Sequence, residues 1–174
     1  VLNSLSLSGG NGDSSVRLSY SNSQQDGIMP TDADKFERNT LGLSGTSKVG
    51  NITITGSLNY VNTGGSGVAT GQGLTVMNNL MQIPTDIPIT EFKDYNNKFH
   101  NVSNYYTPYG VTNPYFTLSQ NGSKYAKDRI YGSVEVKYDV NKWSNFIYRF
   151  GLDQSSESLA VWTSRVDAAP GSRS

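Results

Sequence analysis

The run "RIYGSVEVKYDVNKWSNFIYRFGLD", residues 129–153, alternates apolar and polar residues on both sides of a short turn, and this feature most constrains the fold. A period of two is typical of β-strands, so the run predicts a β-hairpin. In a soluble sheet its apolar side would face a protein core. In an outer-membrane barrel that side would face lipid, and the polar side would line the lumen. The apolar positions are Ile130, Val134, Val136, Tyr138 and Val140 before the turn, and Phe146, Tyr148, Phe150 and Leu152 after it.

The same alternation recurs along the chain and predicts six strands in all. In the first of them, Leu5 and Leu7 alternate with serines, and in the second Arg17 lies on the polar side. The predicted strands cover about residues 1–8, 15–25, 37–49, 52–61, 128–140 and 145–155.

The pairing of the third and fourth strands follows from the two-residue loop Gly50-Asn51. Partners in a sheet must point to the same side, so this loop places Val49 opposite Ile52 and Leu43 opposite Leu58. Glycine suits the positive φ that the primed two-residue turns require.

The apolar sides of the last two strands match only if the loop between them has an odd number of residues. A three-residue loop would place Lys137 opposite Arg149, whereas a five-residue loop places Glu135 opposite Arg149. Opposite charges stabilise a cross-strand pair by up to about 1 kcal/mol, and like charges destabilise it. We therefore expect the Glu135–Arg149 pair and the five-residue loop.

The predicted connections alternate strictly between short and long. Short turns contain "GGNGDS", Gly50-Asn51 and Lys142-Trp143, whereas long connections contain "DGIMPTDADKF" and residues 62–127. Outer-membrane barrels have short periplasmic turns and longer extracellular loops. A structureless insert as long as residues 62–127 is uncommon in a compact soluble domain. The pattern thus predicts an all-β fold, an antiparallel transmembrane β-barrel segment.

In such a barrel, the polar and aromatic residues of these strands have expected positions relative to the lumen and the lipid. We expect Arg17, Glu135, Lys137 and Arg149 to face the lumen as polar wall residues. Lipid-facing positions are expected at Val134, Val136, Phe146 and Phe150. Near the Lys142-Trp143 turn, an interfacial aromatic girdle is expected from Tyr138, Trp143, Phe146 and Tyr148.

Composition excludes several classes of protein and of site. Equal numbers of basic and acidic residues, 14 of each, give no basic excess for a nucleic-acid partner. With no cysteine and one histidine, His100, the chain has little material for a catalytic triad or a histidine metal site. We expect no enzyme activity, no cofactor and no metal. The chain contains no run of about 18 apolar residues, so no transmembrane helix is expected.

The long segment 62–127 carries two further features. The stretch "LTVMNNLMQI" predicts a short amphipathic helix with Leu74, Met77, Leu80 and Met81 on one side, ended by Pro84. A tyrosine-rich stretch follows. Its aromatic rings either pack within the loop or form a surface for a substrate or a lid protein, since amphipathic rings suit sugars and protein interfaces. The residues concerned are Tyr105, Tyr106, Tyr109, Tyr115 and Phe116.

Several stretches resemble the SusC/RagA family of TonB-dependent outer-membrane transporters. "LSLSGGNGDSSVRLSYSNSQQDGI" followed by "FERNTLGLSG" is similar to the family's first barrel strands. "NNLMQIPTDIPITEFKDY" resembles its first large extracellular loop, and "NPYFTLSQNGSKYAKDRIYGSVEVKYDVNKW" resembles the return into the next strand pair. The similarity covers nearly the whole chain, with the motifs in the expected order.

The resemblance implies a large plugged barrel of the 22-stranded class in the outer membrane of a Gram-negative, Bacteroidota-type bacterium. It implies active import of glycans, oligosaccharides or peptides, with a SusD-like surface lipoprotein as a lid and the TonB complex as the energy source. The plug is not in this sequence, and six strands are too few to close, since the smallest barrels have eight. We therefore expect the chain to be part of a longer polypeptide.

Two other functions compete with this interpretation. One is a passive porin-like barrel or an autotransporter segment, and the other is a soluble all-β carbohydrate-binding module. The loop motifs argue against the first, and the alternating loop lengths argue against the second.

Overall fold

The computed structural model describes residues 1–68, 75–95 and 113–164. Six strands form one sheet whose spatial order follows the chain, so neighbouring strands are joined as successive antiparallel hairpins. The six predicted strands are therefore present in the predicted order. They are β1 (Leu2–Gly10), β2 (Ser14–Asp26), β3 (Lys35–Val49), β4 (Ile52–Gly67), β5 (Gly122–Asn141) and β6 (Ser144–Trp162).

Three strand ends lie well beyond their predicted positions. β4 continues to Gly67, β5 begins at Gly122 and β6 continues to Trp162, so the long connection covers residues 68–121 and not 62–127. The residues added to β4 and β5 are mostly polar or glycine and show no apolar alternation, whereas those added to β6 end in the apolar run Leu159–Trp162. The ends of β4 and β5 are held together by contacts that an alternating sequence pattern cannot reveal, such as the hydrogen bond from Ser123 Oγ to the Gly67 carbonyl, 3.3 Å.

The pairing of β1 with β2 separates the sheet into two faces. Leu7 lies opposite Leu18, and the adjacent Ser8 lies opposite Arg17. Because consecutive residues of a strand point to opposite sides, the leucines belong to one face and Ser8 and Arg17 to the other. We call these the apolar face and the polar face.

The turn between β3 and β4 has the predicted residues. Gly50 has φ of +59°, whereas Asn51 has no positive φ, which is the pattern of a type II′ turn with glycine first. Thr46 Oγ1 and Thr55 Oγ1 lie 3.3 Å apart across the two strands. This contact agrees with the predicted register, since the same register places Leu43 opposite Leu58.

The last hairpin confirms one prediction and corrects another. Arg149 Nε donates to Glu135 Oε2 at 2.8 Å, so the expected ion pair is present. The five-residue loop is wrong, because β5 continues to Asn141 and β6 begins at Ser144. The turn is tightened by the Asn141 side chain, whose Oδ1 accepts from the Trp143 N–H at 3.1 Å.

Short helical segments lie in the long connection. Helix α1 (Val76–Met81) begins at Thr75, whose Oγ1 accepts from the Asn78 N–H, and a 3₁₀ segment covers Ile89–Lys93. Helix α2 (Pro114–Gln120) was not predicted, although Asn113-Pro114 is a typical helix start. None of the helices in the described ranges is long and apolar enough to cross a membrane.

The predicted short helix is present, and its predicted apolar side is exposed rather than packed against the loop unit. Met77, Leu80 and Met81 are exposed, whereas Val76 and Asn79 are buried. Asn79 is fully buried because its side chain bonds to the second helix, an interaction that a count of apolar residues cannot reveal. Leu74 lies outside the described residues.

The chain divides into two compact units. The sheet unit comprises residues 1–25, 36–64 and 125–158, and the loop unit comprises residues 26–35, 65–124 and 159–174. Among the described residues, Val61 is the only buried apolar side chain of the sheet unit. The loop unit buries Val76, Phe92 and Leu118.

Candidate functional site

The apolar face of the sheet unit is exposed along its whole width. Leu5 and Leu7 of β1 are more than 70% exposed, Phe150 of β6 is 59% exposed, and Leu43 and Leu58 of the central strands are each 46% exposed. Soluble monomers rarely expose contiguous apolar patches larger than a few hundred Å², and larger ones mark contact with a membrane or a partner. The exposed apolar side chains of β2 to β5 include Val16, Leu18, Leu41, Leu43, Ile52, Ile54, Leu58, Ile130 and Val134.

Two tyrosine clusters end this apolar band on the side away from the short turns. Tyr20 donates its hydroxyl to Asn39 Oδ1 at 2.9 Å, and Asn22 Nδ2 donates to the same oxygen at 2.8 Å. Tyr60 donates to Asp128 Oδ1 at 2.6 Å, and Asn62 Nδ2 donates to it at 2.8 Å. Each cluster is thus a Tyr-x-Asn sequence bonded to a polar side chain on the next strand.

Tyr20 and Tyr60 fall at apolar positions of the alternating pattern, which does not distinguish them from Leu or Val. The repeated Tyr-x-Asn pattern, "YSN" at 20–22 and "YVN" at 60–62, was the available signal. The structure shows that both rings continue the apolar band while their hydroxyls join a polar cluster. Tyrosine suits the edge of an apolar surface, because its ring is apolar and its hydroxyl can form hydrogen bonds with polar groups or water.

The polar face of β5 and β6 carries a ladder of ion pairs, which we call the charge ladder. Glu135 binds Arg149, and the predicted site residue Lys137 binds Asp139 of its own strand at 2.9 Å. The other two pairs are Lys127–Glu157 at 3.2 Å and Arg129–Asp153 at 2.5 Å. The Arg129 guanidinium also lies 5.0 Å from the centre of the Tyr131 ring.

The polar face of β1 to β4 is different, because hydroxyl side chains dominate it. Arg17 lies there opposite Ser8, far along the sheet from the charge ladder, and it makes no ion pair or side-chain hydrogen bond within the described residues. It lines a hollow with a volume of about 570 Å³. The four polar residues predicted to share one wall therefore fall into two chemically distinct regions.

A row of glycines lies behind this hollow. Gly9 pairs with Val16, and Gly45 lies against Val16 from the other side. Gly56 lies next to Gly45 on the adjacent strand. A Cβ placed on Gly56 would lie 3.9 Å from the Val134 side chain. Because these glycines belong to the apolar positions of their strands, the row leaves shallow apolar depressions beside Val16.

The loop unit has a small core in which amide and hydroxyl groups surround one aromatic ring. Phe92 is fully buried, and its carbonyl accepts from Asn113 Nδ2 at 2.8 Å. Asn113 Oδ1 accepts from the Tyr115 N–H at 2.9 Å and so begins α2. Asn79 Nδ2 of α1 donates to Thr117 Oγ1 of α2 at 3.2 Å. These bonds tie three helical segments together.

The predicted aromatic surface is described only in part. Phe116 is half-buried and meets Tyr95 edge to face with ring centres 5.6 Å apart, which is packing within the loop unit. Tyr115 is half-buried at the start of α2. Tyr105, Tyr106 and Tyr109 lie outside the described residues, as does His100. No group of three or more potential metal ligands occurs in the described ranges.

Comparison with known proteins does not assign the chain to a family. No protein-family model matches the chain, and no curated protein matches it. The functional interpretation therefore depends on the two-faced sheet and on the resemblance in sequence.

Proposed function

We propose that the six strands are part of the wall of a larger outer-membrane β-barrel. The observation that supports this most is the exposed apolar face opposite a polar face. No element of the sheet unit covers the apolar side chains, and within the described residues that unit buries only Val61 as an apolar core. In a bilayer the lipid tails cover this face, whereas the polar face meets water in the lumen.

The dimensions of the apolar band agree with a bilayer. On β5 its apolar positions extend from Ile130 to Val140, eleven residues, and a membrane strand needs about 9–11. At the turn end lie the aromatic residues expected to form a girdle, with Trp143 88% exposed. At the other end Tyr20 and Tyr60 form a second aromatic level. Aromatic rings at both interfaces are typical of membrane barrels.

The sheet edges support continuation into a closed barrel. β1 and β6 each have one neighbour in the described sheet, so one side of each strand carries unpaired backbone groups. Each unsatisfied group costs several kcal/mol in lipid, and closure removes both edges. We therefore propose that further strands flank both.

The transport activity of this barrel is inferred from the sequence resemblance to SusC/RagA transporters. We propose a TonB-dependent importer of glycans, oligosaccharides or peptides that works with a SusD-like lipoprotein and is not an enzyme. The short turns 11–13, 50–51 and 142–143 would be periplasmic, and the connections 27–34 and 68–121 extracellular. The loop unit would then contribute to the surface that meets the lid or the substrate.

Face assignment is tested with single cysteines, since the chain has none of its own. The complete polypeptide containing this chain is reconstituted with a fluorophore at Val134→Cys or, as the matched control, at Ser133→Cys. A lipid-borne quencher should reach position 134 and not 133. Equal quenching at both positions, or recovery of a soluble monomer without detergent, contradicts the barrel.

Import is tested separately in cells. Uptake of the substrate should stop when the TonB system is deleted and return when it is restored. Uptake that continues without TonB would favour a passive porin-like barrel built from the same wall.

A further inference from the structure

The hollow on the polar face of β1 to β4 has the features of a ligand site. It measures about 570 Å³, within the roughly 300–1,000 Å³ of small-molecule sites. Among the described residues, Arg17 is the only charged one that lines it. Its six hydroxyl side chains are Ser8, Ser15, Ser44, Thr46, Thr55 and Ser57.

Within the described residues, no carboxylate neutralises the charge of Arg17. On β5 and β6 the cations Lys127, Arg129, Lys137 and Arg149 each have a carboxylate partner. Arg17 has none within the described residues, and its opposite neighbour is Ser8. A guanidinium presents a planar fork of donors that matches a carboxylate with two parallel hydrogen bonds.

The hydroxyls around Arg17 also have unused hydrogen-bonding capacity. The side chains of Ser8, Ser15 and Ser44 make no hydrogen bond within the described part of the chain. Each hydroxyl is both a donor and an acceptor, as are the hydroxyls of a sugar. The other lining residues are four glycines and Val16, so the hollow offers no sizeable apolar pocket for a peptide side chain.

We propose that this hollow binds an acidic saccharide, with the Arg17 guanidinium on the carboxylate of a uronic acid unit and the serine and threonine hydroxyls on the sugar hydroxyls. The biological role of this site, selection of acidic oligosaccharides for import, rests on the proposed function. Binding itself is measured on the purified protein and does not depend on transport.

The test measures calorimetric binding of digalacturonate to the complete polypeptide in detergent. The methyl ester of the same disaccharide, which keeps the hydroxyls and lacks the charge, is the matched ligand. Digalacturonate should bind at least about tenfold more tightly than the ester, the difference expected of one charge-assisted hydrogen-bonded pair. Arg17→Gln should abolish this preference, and Arg17→Lys should retain part of it because the charge remains.

Arg38→Gln is the matched control, because Arg38 is an exposed arginine at a polar-face position of the next strand and does not line the hollow. It should keep the preference within about twofold. The proposal is overturned if digalacturonate does not bind, if acid and ester bind equally, or if Arg38→Gln acts like Arg17→Gln. Equal binding of triglutamate would assign the hollow to acidic peptides and also overturn it. Intact binding together with uptake that continues without the TonB system would contradict only the importer.

Discussion

Phe92 of the loop unit and Phe150 of the sheet unit have the same side chain in opposite surroundings. Phe92 is completely buried, with amide groups of neighbouring segments bonded around it, whereas Phe150 is 59% exposed in a strand of regular geometry. The loop unit thus covers its own apolar residues, as a small soluble domain does. The sheet unit leaves its apolar residues to be covered by something else, which is what a membrane wall requires.

Of the changes that test this contrast, removal of the Phe92 ring should cause the largest loss of stability. Phe92→Ala deletes a fully buried aromatic side chain, which typically costs about 3–5 kcal/mol. Hydrogen exchange of the loop-unit amides should accelerate accordingly. Met81→Ala in the same unit is the control. Met81 is 74% exposed, so this variant should lose no more than about 0.5 kcal/mol of stability. Similar effects of the two variants would mean that the loop unit has no core of its own.

A charge on the apolar face should have the next largest effect. Val134→Arg places a cation in the middle of the band and should destabilise the proposed barrel in a bilayer by about 2–4 kcal/mol. The neighbouring Ser133→Arg, on the polar face, should cost much less. Unfolding by denaturant from liposomes measures both, and equal costs would show that the two faces have the same environment.

Asn113→Ala should produce an intermediate loss confined to the loop unit. The buried side chain donates to the Phe92 carbonyl and begins α2, and leaving such groups unpaired costs about 1–3 kcal/mol. Ser119→Ala, at an exposed residue of the same helix, is the control. Protection of α2 amides should fall for the first variant only, and a loss in the sheet amides would contradict the division into units.

The smallest effect is expected in the charge ladder. Arg149 is 69% exposed at its side chain, and exposed ion pairs contribute at most about 1 kcal/mol. A double-mutant cycle of Glu135→Gln and Arg149→Gln should give a coupling energy in that range, and 1 M salt should reduce it. A coupling of several kcal/mol would mean that the pair is shielded from water in the assembled protein.

The strands were predictable because one physical rule, the alternation of faces, covers most of their length. The rule fails where both faces are polar, so the ends of β4 and β5 at Gly67 and Gly122 were missed. In the loop unit, side-chain hydrogen bonds decide what is buried. Asn79 is enclosed by its bond to Thr117 while Met77 stays outside, the reverse of what apolar spacing indicates.

The candidate site was predictable only residue by residue. Opposite charge at a plausible register was enough to predict the Glu135–Arg149 pair. The lack of a partner for Arg17 among the described residues depends on four strands together, so no local sequence pattern could predict it. The Tyr-x-Asn clusters were visible as a repeat, but their meaning came only with the acceptors Asn39 and Asp128 on the adjacent strands.

The row of Gly9, Gly45 and Gly56 has a mechanical consequence. Side chains that interlock across strands resist bending, and glycines in register remove that resistance along one line. Curvature in β-sheets is introduced at such glycine positions. We therefore expect the sheet to bend most easily along this row, and alanine at Gly45 and Gly56 should stiffen it.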